Sequence, residues 1–140
     1  MDIRPFQPAN EAAVVSLWMA CDLVRPWNDP RKDIARKLQM QPELFLVGAE
    51  DEKIVGTVMV GYEGHRGWIN YLAVSPEQQG RGLGRELMEE AETRLRALGC
   101  PKINLQVRTG NPKVRAFYEA IGYTLDEVVS FGKRLESDDS

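Results

Sequence analysis

The chain has 140 residues, the size of one ordinary domain, and its 43% apolar and 28% charged residues are the composition of a folded chain, not a disordered one. Eighteen basic residues against 21 acidic ones leave a net charge of −3, so no cationic field is available for a polyanion and nucleic acid is not expected as a partner. No run approaches the ~20 apolar residues that a membrane-spanning helix needs, the start of the chain lacks a signal-peptide layout, and Cys21, Cys100 and the single histidine, His65, form no metal-ligand spacing. The expectation is a reduced, cytoplasmic protein with no metal and no membrane contact, its cysteines acting as small buried hydrophobes. Residues 1–135 read as a single domain and residues 136–140 as a solvated acidic tail.

In chain order, Ile3 to Phe6 reads as a first strand. Asn10 caps a helix in which Val14, Leu17, Trp18 and Cys21 recur at helical spacing. Asp29 suits an N-cap and Pro30 the first turn of a second helix carrying Ile34 and Leu38 on one face. Leu44 to Glu50 and Ile54 to Tyr62 form a hairpin around Asp51-Glu52-Lys53, and Trp68 to Val74 follows as a strand after the turn Gly64-His65-Arg66-Gly67. A long helix runs from about Gly82 to Leu98, with Leu83, Leu87, Met88, Ala91 and Leu95 as its core stripe. Ile103 to Val107 is a strand and Pro112 to Ile121 a helix. Tyr123 to Leu125 and Val128 to Lys133 read as two last strands. The fold class is α+β: a mixed, mostly antiparallel central sheet of about seven strands, layered with about four helices on both faces.

The segment most informative about chemistry is Leu72-Ala73-Val74, which runs into Gln79-Gly80-Arg81-Gly82-Leu83-Gly84-Arg85 and then opens a helix. Glycines allow a tight turn and close ligand approach to main-chain N–H groups. The helix N-terminus adds unpaired donors and partial positive charge, so the loop suits a phosphate or pyrophosphate. A Walker loop would need Gly-Lys-Ser/Thr, which is absent. A Rossmann fingerprint would need Gly-x-Gly-x-x-Gly after the first strand, whereas here alternate residues are glycine and the loop lies in mid-chain.

This loop resembles the pyrophosphate loop of the GNAT superfamily of acyl-coenzyme A N-acyltransferases. A second motif supports the resemblance. Asn111-Pro112-Lys113-Val114-Arg115-Ala116-Phe117-Tyr118 through Gly122-Tyr123 is similar to the family's closing pattern of Asn, Tyr seven residues on, then Gly-aromatic; Val114 departs from the more usual Ala. The element order matches the family along nearly the whole chain. Cys21 to Pro30, Gly61 to Gly67, Gly99 to Ile103 and Gly132 to Leu135 resemble one bacterial subfamily, the YpeA acetyltransferases.

The resemblance implies an acetyl-CoA-dependent N-acetyltransferase, with transfer to a primary amine by direct attack in a ternary complex. Main-chain N–H groups from Gln79 to Arg85 would hold the pyrophosphate. Leu72, Ala73 and Val74 would pair with the pantetheine arm, provided the neighbouring strand splays away. Asn111 would cap its helix and also contact the cofactor. Tyr118 falls at the position of the general acid that protonates the thiolate. Many relatives carry a Glu base where this chain has Trp68; Glu63, Asp29, Glu50 and His65 are the remaining candidates. The acceptor side falls to the connection between the first two helices, where Arg25 beside Asp29, with Trp27 and Asn28, would read an amine and a carboxylate. The acceptor class left open runs from small molecules to peptides. Homodimerisation is common in the family and nothing in these residues fixes it. The rival reading is a non-catalytic acyl-CoA-binding or sensing module on the same fold.

Overall fold

A computed structural model describes residues 1–139. Five strands form one sheet in the order β1 (Asp2–Pro5), β2 (Phe45–Glu50), β3 (Lys53–Tyr62), β4 (Gly67–Val74) and β5 (Ile103–Leu105). The first four pair antiparallel and β4 pairs parallel with β5. Four α-helices cover it: α1 (Glu11–Ala20), α2 (Pro30–Lys37), α3 (Leu83–Ala97) and α4 (Pro112–Ala120).

The sheet's two faces carry separate cores. On one face Leu87, Met88, Ala91 and Leu95 of α3 and Tyr118 of α4 pack with Leu46, Val58, Val60 and Ile69. On the other, Val14, Leu17 and Trp18 of α1 and Ile34 of α2 pack with Phe45, Val47 and Ala73. The Phe6 and Phe45 rings stack at 4.6 Å in that second core. Both helical stripes are those expected from their sequence periodicity.

Helix α2 starts as its sequence predicts. Pro30 takes the first position and the Asp29 carboxylate accepts from Arg31 N–H at 2.9 Å. Asn10 behaves differently. A one-turn 3₁₀ segment, Pro8–Asn10, precedes α1, and the Asn10 side chain accepts from Gln7 N–H at 2.8 Å, so it closes that turn instead of capping α1.

The expected seven strands are a miscount. Residues 123–125 and 128–133 form no strand. Their composition suits a strand, but strands need an edge to pair with, and β5 offers only three residues. The segment is held beside β5 by side chains: Lys102 Nζ and Asn104 Nδ2 donate to Asp126 at 3.0 and 2.8 Å, and Gln106 donates to Ser130. Val128, Val129 and Phe131 consequently stay exposed.

The solvated-tail expectation also needs correction at one residue. Glu136 and Asp139 are exposed, but the Asp138 side chain is only 2% exposed because it is ion-paired against α2.

The Leu87 side chain is fully buried between α3 and β3. Leu87→Ala is expected to destabilise the fold by about 2–5 kcal/mol, measured by urea unfolding, whereas Leu125→Ala, at an exposed site, is expected to stay within about 0.5 kcal/mol.

Candidate active site

The site is built on a bulge in β4. Across the β3–β4 pair, Met59 faces Asn70 and Thr57 faces Ala73, so two residues, Tyr71 and Leu72, stand opposite Val58 alone. Tyr71 carries the extra turn in a left-handed conformation, φ 51°, which for a bulky residue costs on the order of 1–3 kcal/mol and persists only where its surroundings enforce it. Three contacts enforce it. The Tyr71 ring stacks on Trp18 at 3.7 Å, its hydroxyl donates to Asp33 Oδ2 at 2.6 Å, and its carbonyl accepts from the buried Thr57 hydroxyl at 2.8 Å. Thr57 accepts in turn from Trp18 Nε1 at 2.9 Å, closing the network. Burial, and then the Asp33 carboxylate, push the Tyr71 hydroxyl pKa up, so it stays a donor.

Beyond this bulge β4 has a free edge. The parallel pairing to β5 runs from Gly67↔Ile103 to Ile69↔Leu105 and stops, while β4 continues to Val74. β5 itself ends at Leu105, so among the described residues no strand pairs with β4 beyond Ile69 on that side; Ala73 and Val74 are paired to β3 alone, and Leu72 stands in the bulge. Part of that edge is already engaged, because the Val74 carbonyl accepts from Gln79 Nε2 at 3.1 Å and from Cys21 Sγ at 3.2 Å.

The glycine loop follows directly. Gly80 and Gly82 sit at φ +83° and +80°, and a Cβ at either would meet nothing within 4 Å, so main chain is bare to an approaching ligand there. Gly84 answers a different need. A Cβ on it would lie 3.2 Å from Phe117 Cζ and 3.7 Å from Val74 Cγ2, so its absence lets α3 start against α4 and the end of β4. The two sequence motifs thus meet at Gly84. Leu83 is buried as the first residue of α3. Of the loop cations, Arg81 is bidentate to Glu50 at 2.9 and 3.1 Å, and Arg85 pairs with Glu89 at 3.2 Å. Asn111 caps α4 through Val114 N–H at 3.3 Å.

Tyr118 lies in the core cluster against which Leu72 and Val74 of the open β4 edge and Leu105, the last residue of β5, also pack. It is 8% exposed, and burial pushes its pKa up to about 12, so it stays protonated at neutral pH.

The four base candidates stand elsewhere or are occupied. Glu63 accepts from Arg66 and His65 N–H groups in the β3–β4 turn, which hold its carboxyl below the usual range. That turn is at the opposite end of β4 from Val74. His65 is exposed in the same turn. Glu50 is held low chiefly by Arg81 at the glycine loop, and Asp29 caps α2. Trp68 is partly exposed on β4.

The acceptor-side residues also sort differently from expectation. Arg25 does not pair with Asp29; it donates to the carbonyl and carboxylate of Asp22 at 2.9 and 3.3 Å. Trp27 is exposed beneath the Arg108 guanidinium, 5.6 Å from its ring. Asn28 reaches Asp33 Oδ2 at 3.3 Å and so joins the Tyr71 network. Sequence reasoning missed Tyr71, Thr57, Asp33, Arg36 and Asp138. The bulge has no glycine to announce it, and Asp138 lies in a stretch whose composition reads as solvent-exposed. Among the described residues no cluster of His, Cys, Asp and Glu could hold a metal ion.

Residues 12–123 match the Acetyltransferase (GNAT) family. The chain is 49% identical over 138 residues to an acetyltransferase of Pectobacterium atrosepticum, covering 99% of this chain and 98% of that one. It is 49% identical over 135 residues to an acetyltransferase of Yersinia enterocolitica, covering 96% of each. Among solved structures, Ard1 from Thermoplasma volcanium superposes with a TM-score of 0.76 at 22% identity, covering 89% of this chain and 83% of that one. The aminoglycoside 6'-N-acetyltransferase of Acinetobacter haemolyticus superposes with a TM-score of 0.74 at 17% identity, covering 97% and 100%. The chain belongs to the GNAT acetyltransferase family and is an acyltransferase; acetyl-CoA is the family's acyl donor.

Thr57→Val removes the hydroxyl shared by Trp18 and Tyr71 while keeping its volume. It is expected to cost about 1–3 kcal/mol, the penalty for leaving buried polar groups unpaired, and to speed amide exchange at Leu72 and Ala73, read by hydrogen exchange.

Proposed function

We propose that this chain transfers the acetyl group of acetyl-CoA directly to a primary amine, in a ternary complex, at the β4 edge left open where β5 ends. The observation that carries the reading is the free edge of Leu72, Ala73 and Val74 leading into a bare glycine turn and a helix N-terminus. An extended pantetheine arm can add to that edge as a strand would. Main-chain N–H groups at Gly80, Gly82 and Gly84, with the dipole of α3, suit the pyrophosphate. Arg81 and Arg85 supply charge there, Arg81 by exchanging Glu50 for phosphate. Asn111 adds a contact from the start of α4.

Acetyl-CoA supplies the activated thioester. The chain's residues orient it, stabilise charge and move protons. The amine gives up its ammonium proton, its nitrogen bonds to the thioester carbon, the C–S bond breaks and the sulfur leaves as thiolate. A main-chain N–H group from Leu72 to Val74 would stabilise the carbonyl oxygen as it gathers negative charge; one preorganised donor of this kind is worth roughly 3–4 kcal/mol of barrier. Tyr118 gives its proton to the leaving sulfur, and the second proton of the attacking nitrogen, released as the amide forms, returns the Tyr118 phenolate to its acid form. With Glu63, His65, Glu50 and Asp29 placed as they are, the ammonium proton leaves through water and not to a side chain standing at Trp68.

Acetyl-CoA is expected to bind with micromolar affinity by titration calorimetry, with ATP, which lacks a pantetheine arm, binding far more weakly. Absence of acetyl-CoA binding at millimolar ligand would remove this reading. Tyr118→Phe is expected to lower kcat by about 10²–10⁴-fold with acetyl-CoA affinity nearly unchanged. Because burial pushes the Tyr118 hydroxyl up to about 12, it remains the acid form across the assay range. The wild-type rate should therefore show no alkaline loss from this group up to about pH 10, roughly two units below that value.

A further inference from the structure

Asp138 is the one buried residue in a stretch that is otherwise exposed from 127 to 139. Its carboxylate is gripped from several directions. Arg36 Nη2 donates to Oδ1 at 2.6 Å and Asp29 N–H to Oδ2 at 2.8 Å. Arg134 Nη2 stands 3.0 Å from Oδ2, and Lys32 Nζ donates to the Asp138 main-chain carbonyl at 2.9 Å. Arg36, then the Asp29 N–H, hold the carboxyl well below the ordinary range.

The two halves of this contact differ in kind. The receiving groups, Asp29 N–H, Lys32 and Arg36, sit on or immediately before α2, which is fixed to the core by the fully buried Ile34. The guest arrives on a segment with no helix or strand after Ala120, and Arg134 travels with it. The receptor belongs to a core-packed helix, and the guest lies on exposed chain that Arg134 also ties to Asn28 Oδ1 at 2.9 Å.

The receptor is also wired to the transfer point. Arg36 Nη1 donates to Asp33 Oδ1 at 3.1 Å, and Asp33 Oδ2 accepts the Tyr71 hydroxyl at 2.6 Å. One hydrogen-bonded chain thus runs from the carboxylate pocket to the residue preceding Leu72.

We infer that the pocket formed by Asp29 N–H, Lys32 and Arg36 is a carboxylate-binding subsite for the amine acceptor, and that Asp138 fills it as a tethered competitor. The inference rests on the acetyltransferase reading for the acceptor's amine, and it names the acceptor class: an amine that also carries a carboxylate, such as an amino acid or an acidic peptide. An acceptor carboxylate would replace that of Asp138 on the same donors, one oxygen on Arg36 Nη2 and the other on Asp29 N–H, and this charge-assisted pairing would orient it. A guest on a short tether acts at an effective concentration on the order of millimolar, so it masks the subsite from weak ligands without closing it to good ones.

The test is a binding titration on the ¹⁵N-labelled full chain, following the Asp29 amide and the Arg36 Nε–H, with L-aspartate as the probe and L-aspartic acid diamide as the control. The full chain carrying Asp138→Ala is expected to shift saturably with L-aspartate and not with the diamide. The unsubstituted chain should need at least about tenfold more ligand, the tax of a mostly occupied site. Arg36→Ala in the Asp138→Ala background should abolish the response; Arg36 is half-exposed, so its loss leaves the fold intact, checked by the unchanged remainder of the spectrum. No saturable shift in Asp138→Ala, an equal response to the diamide, or a response that survives Arg36→Ala overturns the inference. Asp138→Asn serves as a second variant with the same expected ordering. None of these readouts uses acetyl-CoA, so their failure is distinct from failure of acetyl-CoA binding, which would overturn the transferase reading itself.

Discussion

The bulge at Tyr71 is the constraint on which the rest of the site depends. A regular strand alternates faces, so Ile69, Tyr71 and Ala73 would share one face of the sheet. They do not. Ile69 packs in the α3–α4 core, whereas Tyr71 and Ala73 pack against α1, and Leu72 and Val74 take the α3 face. One extra residue has inverted the strand halfway along. It also strengthens the local twist, and β4 and β5 part company just before it, at Ile69↔Leu105. The bulge sets the facing of Leu72 and Val74, and the end of β5 at Leu105 leaves their edge open. The chain holds that irregularity with its most buried polar network, the Trp18–Thr57–Tyr71 relay, and with a stacked indole. The core under α1 is in this sense part of the active site.

Much of this could be read from the amino-acid sequence, because the features concerned are local. The α3 stripe, the Asp29–Pro30 start of α2 and the glycine loop each declare themselves within a few residues. GNAT membership followed from two such motifs in order. What stayed hidden was non-local. Val128, Val129 and Phe131 have the composition of a strand, but pairing depends on an edge elsewhere, and β5 ends after three residues. Asn10 has the identity of a cap, yet Pro8 starts a tighter turn that takes its side chain first. Arg25 and Asp29 looked like a charged pair across a loop, until Asp22 and the α2 N-terminus claimed one each. Tyr71 gave no signal because a left-handed tyrosine is legible only from the groups around it.

Charge is distributed in a way that reconciles a net charge of −3 with an anionic donor. The loop that suits pyrophosphate relies on main-chain N–H groups, which no acidic composition can cancel. Its side-chain cations are already partnered, Arg81 with Glu50 and Arg85 with Glu89. Exposed pairs of this kind contribute little to stability, about 0–1 kcal/mol, so exchanging a carboxylate for a phosphate there costs little. The acidic partners keep the cations in place and keep the field low until a ligand arrives.

The two anion-receiving places differ in construction and share a location. The glycine loop continues the C-terminal end of β4, and the α2 pocket reaches the same half of β4 through Asp33 and Tyr71. In sheets with parallel neighbours, ligands gather at the carboxyl ends of strands where adjacent strands separate. Among the described residues there is one parallel pair, β4 with β5. The α3–α4 core covers one face of β4 and the α1–α2 core the other, so in the proposed reaction donor and acceptor would approach from opposite faces of the sheet. That arrangement is compatible with the proposed ternary complex. Cys21 is the nearest thiol to the β4 edge, but it donates to the Val74 carbonyl and burial raises its pKa, which keeps it a thiol and a poor nucleophile. A thiol held in that state is a weak acyl carrier, which agrees with the direct transfer proposed above.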